Sequence, residues 1–540
     1  MKYNNYLLKV LVLVVVCFAS NRLLGQKVDT TSSNKYLKSG WEKFNADKNV
    51  EAITDIDKAI IYNPKNWKAY RAKADVELES NDYKNALKNY EKALLINPSD
   101  AKSHSGKADA LRDLDRKEES ITEYTISISL DSNYAENYLG RGQSYYAIKN
   151  YLKAETDFTK TIELMPELSV IYMKRALALY RQKKYTETIE DCNTYIKLKG
   201  KFADPYYFKG ASQVFLCDDI KDKKEKAAVA DSAIANIIHY TNLKGFDHAT
   251  CRTLGMAYAL KGDSVPSEKY FRMGLTMNPP DLCYYYSKWG ISEIRLGRYK
   301  QAVIMYNESE KTSEGELNEY FYYYRGAAEE GMEDTVKALQ DYQKALEVNS
   351  SNTEIREHRF KFVAKKALTD SNYQKIAMGD INWYMQTYKE DTVTVAEMYA
   401  AKAFIHCNSK DTTIVRNNIN KAIALLPKEP AFYVIRACLY GIAGASKEQI
   451  INDLDKAVAV DSTMWEAYLY KAGILVLKSR DFKNACENIK LCLKYGGEVP
   501  VDVENYICKR KKPKGQSYLE FYVFPKVRTK SKTTIDLDFK

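Results

Sequence analysis

The sequence predicts an all-α solenoid of short, stacked helix pairs, and three observations carry that expectation. Small, large and helix-breaking residues recur in phase at steps of 34. The columns are Ala52, Ala86, Ser120, Ala154 and Thr188; Ile56, Tyr90, Tyr124, Phe158 and Cys192; and Pro64, Pro98, Ser132, Pro166 and Gly200. A helix pair this short cannot bury its apolar face alone, so each needs a similar pair on either side. Only 12 Pro and 23 Gly occur in 540 residues, which argues against long disordered or collagen-like stretches. An array grows lengthwise without enlarging one core, so the about three or four globular domains that this length would otherwise suggest are not required.

The clearest copy runs from Ala135 to Pro166. Its first helix carries Tyr138, Gly142 and Tyr145, and its second carries Ala154, Phe158 and Thr161. The small residue on the second helix lets the first approach closely, and the large residue one turn later fills the space between repeats. Proline then ends the helix after Asn, as at Asn63-Pro64 and Asn97-Pro98. Asp131-Ser132 and Asp461-Ser462 read as the same stop without proline.

Taken in order, residues 26–33 form a polar leader whose Ser or Asn can cap the first helix. The array is expected over 34–497. After Gly200 the sixth repeat starts regularly with Tyr206 and Gly210. It is stretched near 216–226 before a second helix from about Ala227 to Tyr240. Ala302 and Tyr306 follow in register, then Gly326, Ala338, Tyr342 and Ala345. A second insertion near 366–376 precedes Ala377, Ile381 and Tyr384. Strict spacing returns at Ala403, Val415, Ile419, Ala422 and Pro427, continues through Ile450, Leu454 and Ala457, and closes with Ala485, Ile489 and Cys492. The count is about twelve or thirteen repeats. Residues 498–540 abandon the period and are assigned to a basic tail, with KRKKPK over Lys509–Lys514. Ile535, Leu537 and Phe539 alternate with Asp536 and Asp538. The tail reads either as a loose polar segment or as a short β element.

The 34-residue period and the residue classes at Gly142, Tyr145, Ala154, Phe158 and Pro166, and again at Leu254, Gly255, Tyr258, Phe271 and Pro279, resemble the tetratricopeptide repeat family. The resemblance implies a right-handed superhelix whose first helices line a concave groove, and a non-enzymatic protein-interaction scaffold. It implies that the second, fifth, sixth and ninth places of each repeat face that groove. Carried onto this sequence, these places give Lys68, Arg71, Asp75, Lys102 and Asp109 early. They give Tyr207, Arg252, Tyr284, Tyr320 and Tyr323 in the middle, and Ala400, Phe404, Val434 and Ile435 late. The candidate partner-binding set is Arg71, Asp75, Tyr207, Arg252, Tyr284, Tyr320 and Tyr323. The family's clamp for a C-terminal carboxylate needs a Lys, Asn, Asn, Lys, Arg set. Leu37, Trp41, Arg71 and Asp75 do not supply it.

The N-terminus reads as an export signal over residues 1–25. Lys2 and Lys9 supply charge, Val10–Ala19 is apolar but too short to span a bilayer, and small residues follow. A periplasmic or outer-membrane-associated location is therefore expected. Cys17 would be the lipidation site, but Val16 stands where a lipoprotein signal has a small residue. The later cysteines are scattered and contain no C-x-x-C pair, so they are expected to be small core hydrophobes. Cys486 and Cys492, six apart on one helix, are poorly placed to bridge each other.

No catalytic constellation stands out. The five histidines form no H-x-x-x-H and are expected at the surface or in the groove, so no metal site is assigned. No phosphate-cradling loop or nucleophile elbow occurs, and no cofactor is implied. The D-x-D-K-A segments at Asp55/Asp57 and Asp453/Asp455 are expected to be solvated helix faces. The 44 Tyr against 17 Phe indicate many half-buried rings. In the runs Tyr284–Tyr286 and Tyr320–Tyr324 neighbouring side chains point about 100° apart, so they cannot all enter one core. They serve either repeat-to-repeat packing or an aromatic strip for a partner. The leading expectation is a protein partner along the groove. The alternative is an envelope polysaccharide or membrane surface, held by the tyrosines and the basic tail and favoured by the +11 charge. Export and the packing pattern speak against a nucleic-acid partner.

Overall fold

The computed structural model describes residues 28–198, 202–408 and 412–510. The expected signal peptide and the last thirty residues of the tail lie outside them. The described residues form two compact bodies, meeting in sequence between Arg298 and Tyr299. Every regular element among them is helical.

The N-terminal body holds seven helix pairs and one further helix. The pairs are α1 (Thr30–Phe44) with α2 (Asn49–Tyr62), α3 (Trp67–Glu79) with α4 (Tyr83–Ile96), α5 (Ala101–Asp113) with α6 (Lys117–Leu130), and α7 (Ala135–Ala147) with α8 (Tyr151–Leu164). They continue with α9 (Ser169–Arg181) and α10 (Tyr185–Lys197), α11 (Asp204–Leu216) and α12 (Lys223–Lys244), and α13 (His248–Lys261) and α14 (Ser264–Leu275); α15 (Leu282–Arg295) follows. The C-terminal body opens with α16 (Tyr299–Lys311). Five pairs follow: α17 (Glu319–Gly331) and α18 (Thr335–Val348), α19 (Thr353–Ala364) and α20 (Ser371–Thr387), α21 (Thr392–Ile405) and α22 (Thr412–Leu425), α23 (Pro430–Ile442) and α24 (Lys447–Val460), and α25 (Trp465–Ser479) and α26 (Phe482–Lys494). A single helix, α27 (Val501–Lys509), ends the described chain. The two expected insertions are a short 3₁₀ turn with the lengthened α12, and a second 3₁₀ turn before α20.

The stop signal between repeats proves to be side-chain chemistry more than proline. Asn63, Asn97, Asp131, Asn349 and Asp461 each accept the backbone N–H two residues on, at 3.0, 3.4, 3.0, 3.2 and 2.9 Å. This Asx turn ends the helix whether or not proline follows. Within most pairs the chain turns on a residue in the left-handed region. Asp47, Asn81, Asp115, Lys149 and Lys183 hold φ between 59 and 64° there, where Gly262 serves later.

The periodic columns are the contact surface between helices. Ala52, Ala86, Ala154, Ala302 and Ala338 are fully buried, as are Ile56, Tyr90, Tyr306 and Tyr342. Glycine is required at the closest approaches. A Cβ on Gly142 would lie 2.8 Å from the Phe158 ring, and one on Gly140 would lie 2.2 Å from the Tyr124 hydroxyl. Most successive first helices of the N-terminal body touch one another, as α21 and α23 do in the C-terminal body, and most second helices lie between their own first helix and the next one. The first helices therefore share one face within each body.

A polar ladder runs beside the apolar columns. The seventh residue of the first helix is a cation paired with a carboxylate sixteen or seventeen residues on. The pairs are Lys107–Glu123 (2.8 Å), Arg141–Asp157 (2.8 Å), Arg175–Asp191 (2.6 Å), Arg325–Asp341 (2.6 Å) and Arg436–Asp453 (2.6 Å). The same guanidinium often reaches sixteen residues back as well. Arg141 donates to Thr125 (3.1 Å), Arg175 to Thr159 (3.2 Å) and Arg436 to Asn420 (2.7 Å). One cation thus ties together two consecutive second helices. Such pairs add little net stability, but they penalise any register that leaves one partner alone.

Several expectations are corrected here. Asp55 and Asp453 are buried, held by Lys43 (2.5 Å) and Arg436, and are not solvated; only Asp57 and Asp455 lie on the exposed side of that turn. Ala400, Phe404, Val434 and Ile435 are buried in the core of the C-terminal body, because the late repeats carry apolar residues on both sides of the first helix. His104 is buried against Glu123 at 2.6 Å. Two cysteines do not act as core hydrophobes: Cys486 on α26 is disulfide-bonded to Cys508 on α27.

That bond holds α27, whose residues the broken period assigns to the tail, on the last pair. Val503 and Ile507 bury themselves against Ala472, Leu475, Ala485 and Ile489, and Tyr506 meets the Phe482 ring edge-on at 5.6 Å. Cys486→Ser, or reduction, is expected to let α27 fray. Limited proteolysis should then cut within 501–509 while the rest of the digest is unchanged, since each repeat is held only by its neighbours. Unaltered resistance of that helix would show that packing alone retains it.

Candidate functional site

The shared face of the first helices is the candidate site, described for each body by itself. At its early end the candidates are already matched. The Arg71 guanidinium reaches both oxygens of Asp100, the N-cap of α5, at 3.1 and 3.2 Å, and lies over the Trp67 ring at 5.3 Å. Asp75 accepts the Tyr90 hydroxyl at 2.6 Å, and burial pushes its carboxyl up to about 6. One repeat later Asp109 accepts the Tyr124 hydroxyl at 2.5 Å and Arg112 at 2.7 Å, and burial raises its carboxyl above the ordinary range. Both rings cross from the second helix to this face because Gly106 and Gly140 leave room for them.

Further along the N-terminal body the character changes. Tyr207 is half-buried, packed on Phe208 (5.3 Å) and Tyr240 (5.5 Å). Tyr284 is 42% exposed, while its neighbour Tyr285 is fully buried with its hydroxyl on the Phe271 carbonyl at 2.9 Å. The Arg252 guanidinium lies over the Tyr284 ring at 4.9 Å, and the Lys288 ammonium lies near the same ring at 5.1 Å. The structure thus brings Arg252 and Tyr284 together and adds Lys288. Sequence reasoning could have found Lys288, since it occupies the sixth place of its repeat, four residues after Tyr284 at the second.

In the C-terminal body Tyr320 is 41% exposed and Phe321 is buried, as the 100° turn per residue requires. Tyr320 faces Tyr324 at 6.5 Å. Tyr323 is more enclosed, between Tyr324 (5.2 Å), Tyr342 (6.1 Å) and His358 (5.3 Å). Beneath it the Tyr342 hydroxyl donates to Glu330 at 2.6 Å, and His358 Nε2 lies 2.9 Å from the same carboxylate. Among the described residues no cluster of His, Cys, Asp and Glu could hold a metal ion, and no helix is long and apolar enough to cross a membrane.

Stacked helix pairs whose first helices share a face within each body define an α-solenoid. Residues 37–101 and 71–135 match the sequence profile of the tetratricopeptide repeat, and the same pair recurs through α26. Residues 37–135 are tetratricopeptide repeats, and the all-α solenoid of the described residues is of that kind. No curated protein matches it. Solved structures that it resembles include MamA, at 19% identity over 30% of this chain and 94% of that one, with a TM-score of 0.29. Pseudomonas aeruginosa pilF matches at 19% identity over 39% and 91%, with a TM-score of 0.33. PilW, titled a type IV pilus biogenesis factor, matches at 16% over 40% and 96%, with a TM-score of 0.34.

Proposed function

We propose that this protein is a non-enzymatic scaffold of the cell envelope that holds partner proteins against the first-helix faces of its repeats. The observation that carries this reading is the half-exposed tyrosines of that face, Tyr284 and Tyr320, which the fold leaves outside its core. Rigid rings with a polar tip give contact area at low entropic cost. The Cys486–Cys508 bond supports an oxidising compartment, in keeping with the export signal expected over residues 1–25.

The test uses photo-crosslinking from the first-helix face in native envelopes. Tyr320→Ala, at an exposed ring, is expected to abolish a specific crosslinked partner while leaving stability within about 0.5 kcal/mol. Tyr323→Ala is expected to weaken both capture and stability, because its ring is packed on Tyr342 and His358. If both variants and wild type yield the same crosslinks, these rings only pack.

A further inference from the structure

Most partly buried cations of the N-terminal body have a carboxylate within reach. Arg71 has Asp100, Lys107 has Glu123, Arg141 has Asp157, Arg175 has Asp191 and Arg298 has Glu293. The group around Tyr284 departs from this rule. Among the described residues neither Arg252 nor Lys288 has a carboxylate within ion-pair distance. Both are half-buried and lie on the first-helix face beside one exposed ring. Burial and the like charges of Arg295, Arg252 and Lys183 hold the Lys288 ammonium below its ordinary range, and Asp218 partly offsets them. Asp218 is itself claimed by Arg295, whose Nη2 donates to both of its oxygens at 2.7 and 2.6 Å. Arg295 Nη1 is buried with no hydrogen-bond partner.

An excess of enclosed positive charge with unused N–H donors is costly unless something supplies the missing anions. We infer that the Arg252–Tyr284–Lys288 face is a docking site for an extended acidic peptide segment, with carboxylates two residues apart on Arg252 and Lys288. The spacing fits. Both cations lie within about 5 Å of one ring centroid, so they are at most about 10 Å apart. Alternate side chains of an extended peptide sit roughly 7 Å apart on one face. A sugar or nucleic-acid base would need a free ring to stack on, whereas both cations already crowd the Tyr284 ring. Arginine also matches a carboxylate through two parallel N–H donors.

The inference rests on the scaffold reading and names the chemistry of its partner. It is tested on the full chain by fluorescence anisotropy. The probe is a short, acetylated and amidated peptide with Glu at alternate positions; its ends carry no charge, so the side chains alone are read. Saturable binding is expected, with none for the counterpart carrying Gln. Arg252→Met and Lys288→Met keep the aliphatic stems, and each is expected to weaken binding about tenfold or more. Lys160→Met, on the exposed side of α8, should leave it unchanged, and circular dichroism should show every variant equally helical. Equal binding of the Gln peptide, or unchanged affinity in Lys288→Met, overturns the inference. So does tighter binding of polyglucuronate than of the peptide, which would assign the face to an anionic glycan. If the peptide fails to bind while envelope crosslinks still form, this inference falls and the scaffold stands. Should crosslinks fail on both bodies, it is the scaffold reading that falls.

Discussion

Asp380→Asn is expected to cost the C-terminal body about 3–5 kcal/mol, the magnitude for removing one partner of a buried charge network. Asp380 is fully buried and accepts from Arg356 Nη1 at 3.0 Å and from Arg359 Nε and Nη2 at 3.1 and 2.5 Å. Both arginines are enclosed in turn. The Arg356 guanidinium lies over the Trp383 ring at 4.1 Å from its centroid, and Arg359 donates to Gln343 at 2.6 Å. A neutral amide of the same shape leaves two buried guanidinium groups without a counter-charge. The other rungs named above carry one Arg or Lys per carboxylate, so this position should be the most sensitive of them. Hydrogen exchange of the full chain should show faster exchange across 353–387, because an array loses stability locally before it unfolds as a whole. A change below about 1 kcal/mol would mean that water reaches the pair and screens it.

Glu329→Gln should act in the opposite direction and depend on pH. Glu329 is buried on α17, and its Oε2 has no hydrogen-bond partner. Burial, then the like charge of Asp341, pushes its carboxyl up to about 7, while Arg325 pulls the other way. The folded protein therefore keeps this proton over a range where the unfolded chain, at an ordinary 4.5, has released it. Stability from this group is highest below the unfolded value and falls as pH rises toward 7. The full penalty above that point is about 3 kcal/mol, since each pH interval of one between the two values is worth about 1.4 kcal/mol. Glu329→Gln removes the titration. The variant should match wild type near pH 4.5 and exceed it near pH 8, with slower exchange over 319–348. An equal gain at both pH values would place the effect in packing rather than charge.

The two predictions fall on residues whose importance the periodic pattern hides. Asp380 and Glu329 look like any acidic residue of a helical repeat. What separates them from Asp57, which is exposed beside Lys73, is their depth, and depth depends on the neighbouring repeat. The same reason explains why Asp55 and Asp453 look solvated in the chain but are not. One turn of a second helix carries two acids, and only the contact with the first helix decides which of them is buried.

Much of the architecture was legible because repeat proteins write tertiary contacts as a period. A small residue at Ala154 and a ring at Phe158, recurring every 34 positions, already describe how neighbouring helices touch. The positions of the helices, the two stretched repeats and the stops at Asp131 and Asp461 followed from that period and from turn chemistry. The face that carries Arg252, Tyr284 and Tyr320 was an expectation that the family resemblance implied. The sequence could not say which members of that face are spent internally. Arg71 and Asp75 look free in the chain, yet Asp100 and Tyr90 occupy them, from one and the next repeat. Phe404 and Ile435 stand at face positions but sink into a core widened by apolar neighbours. Cys486 finds Cys508 only because a last helix folds back over the final pair. By itself the sequence determined the unit and its period. The tertiary structure alone decided which charges on that face stay unmatched, because matching depends on side chains that meet across repeats.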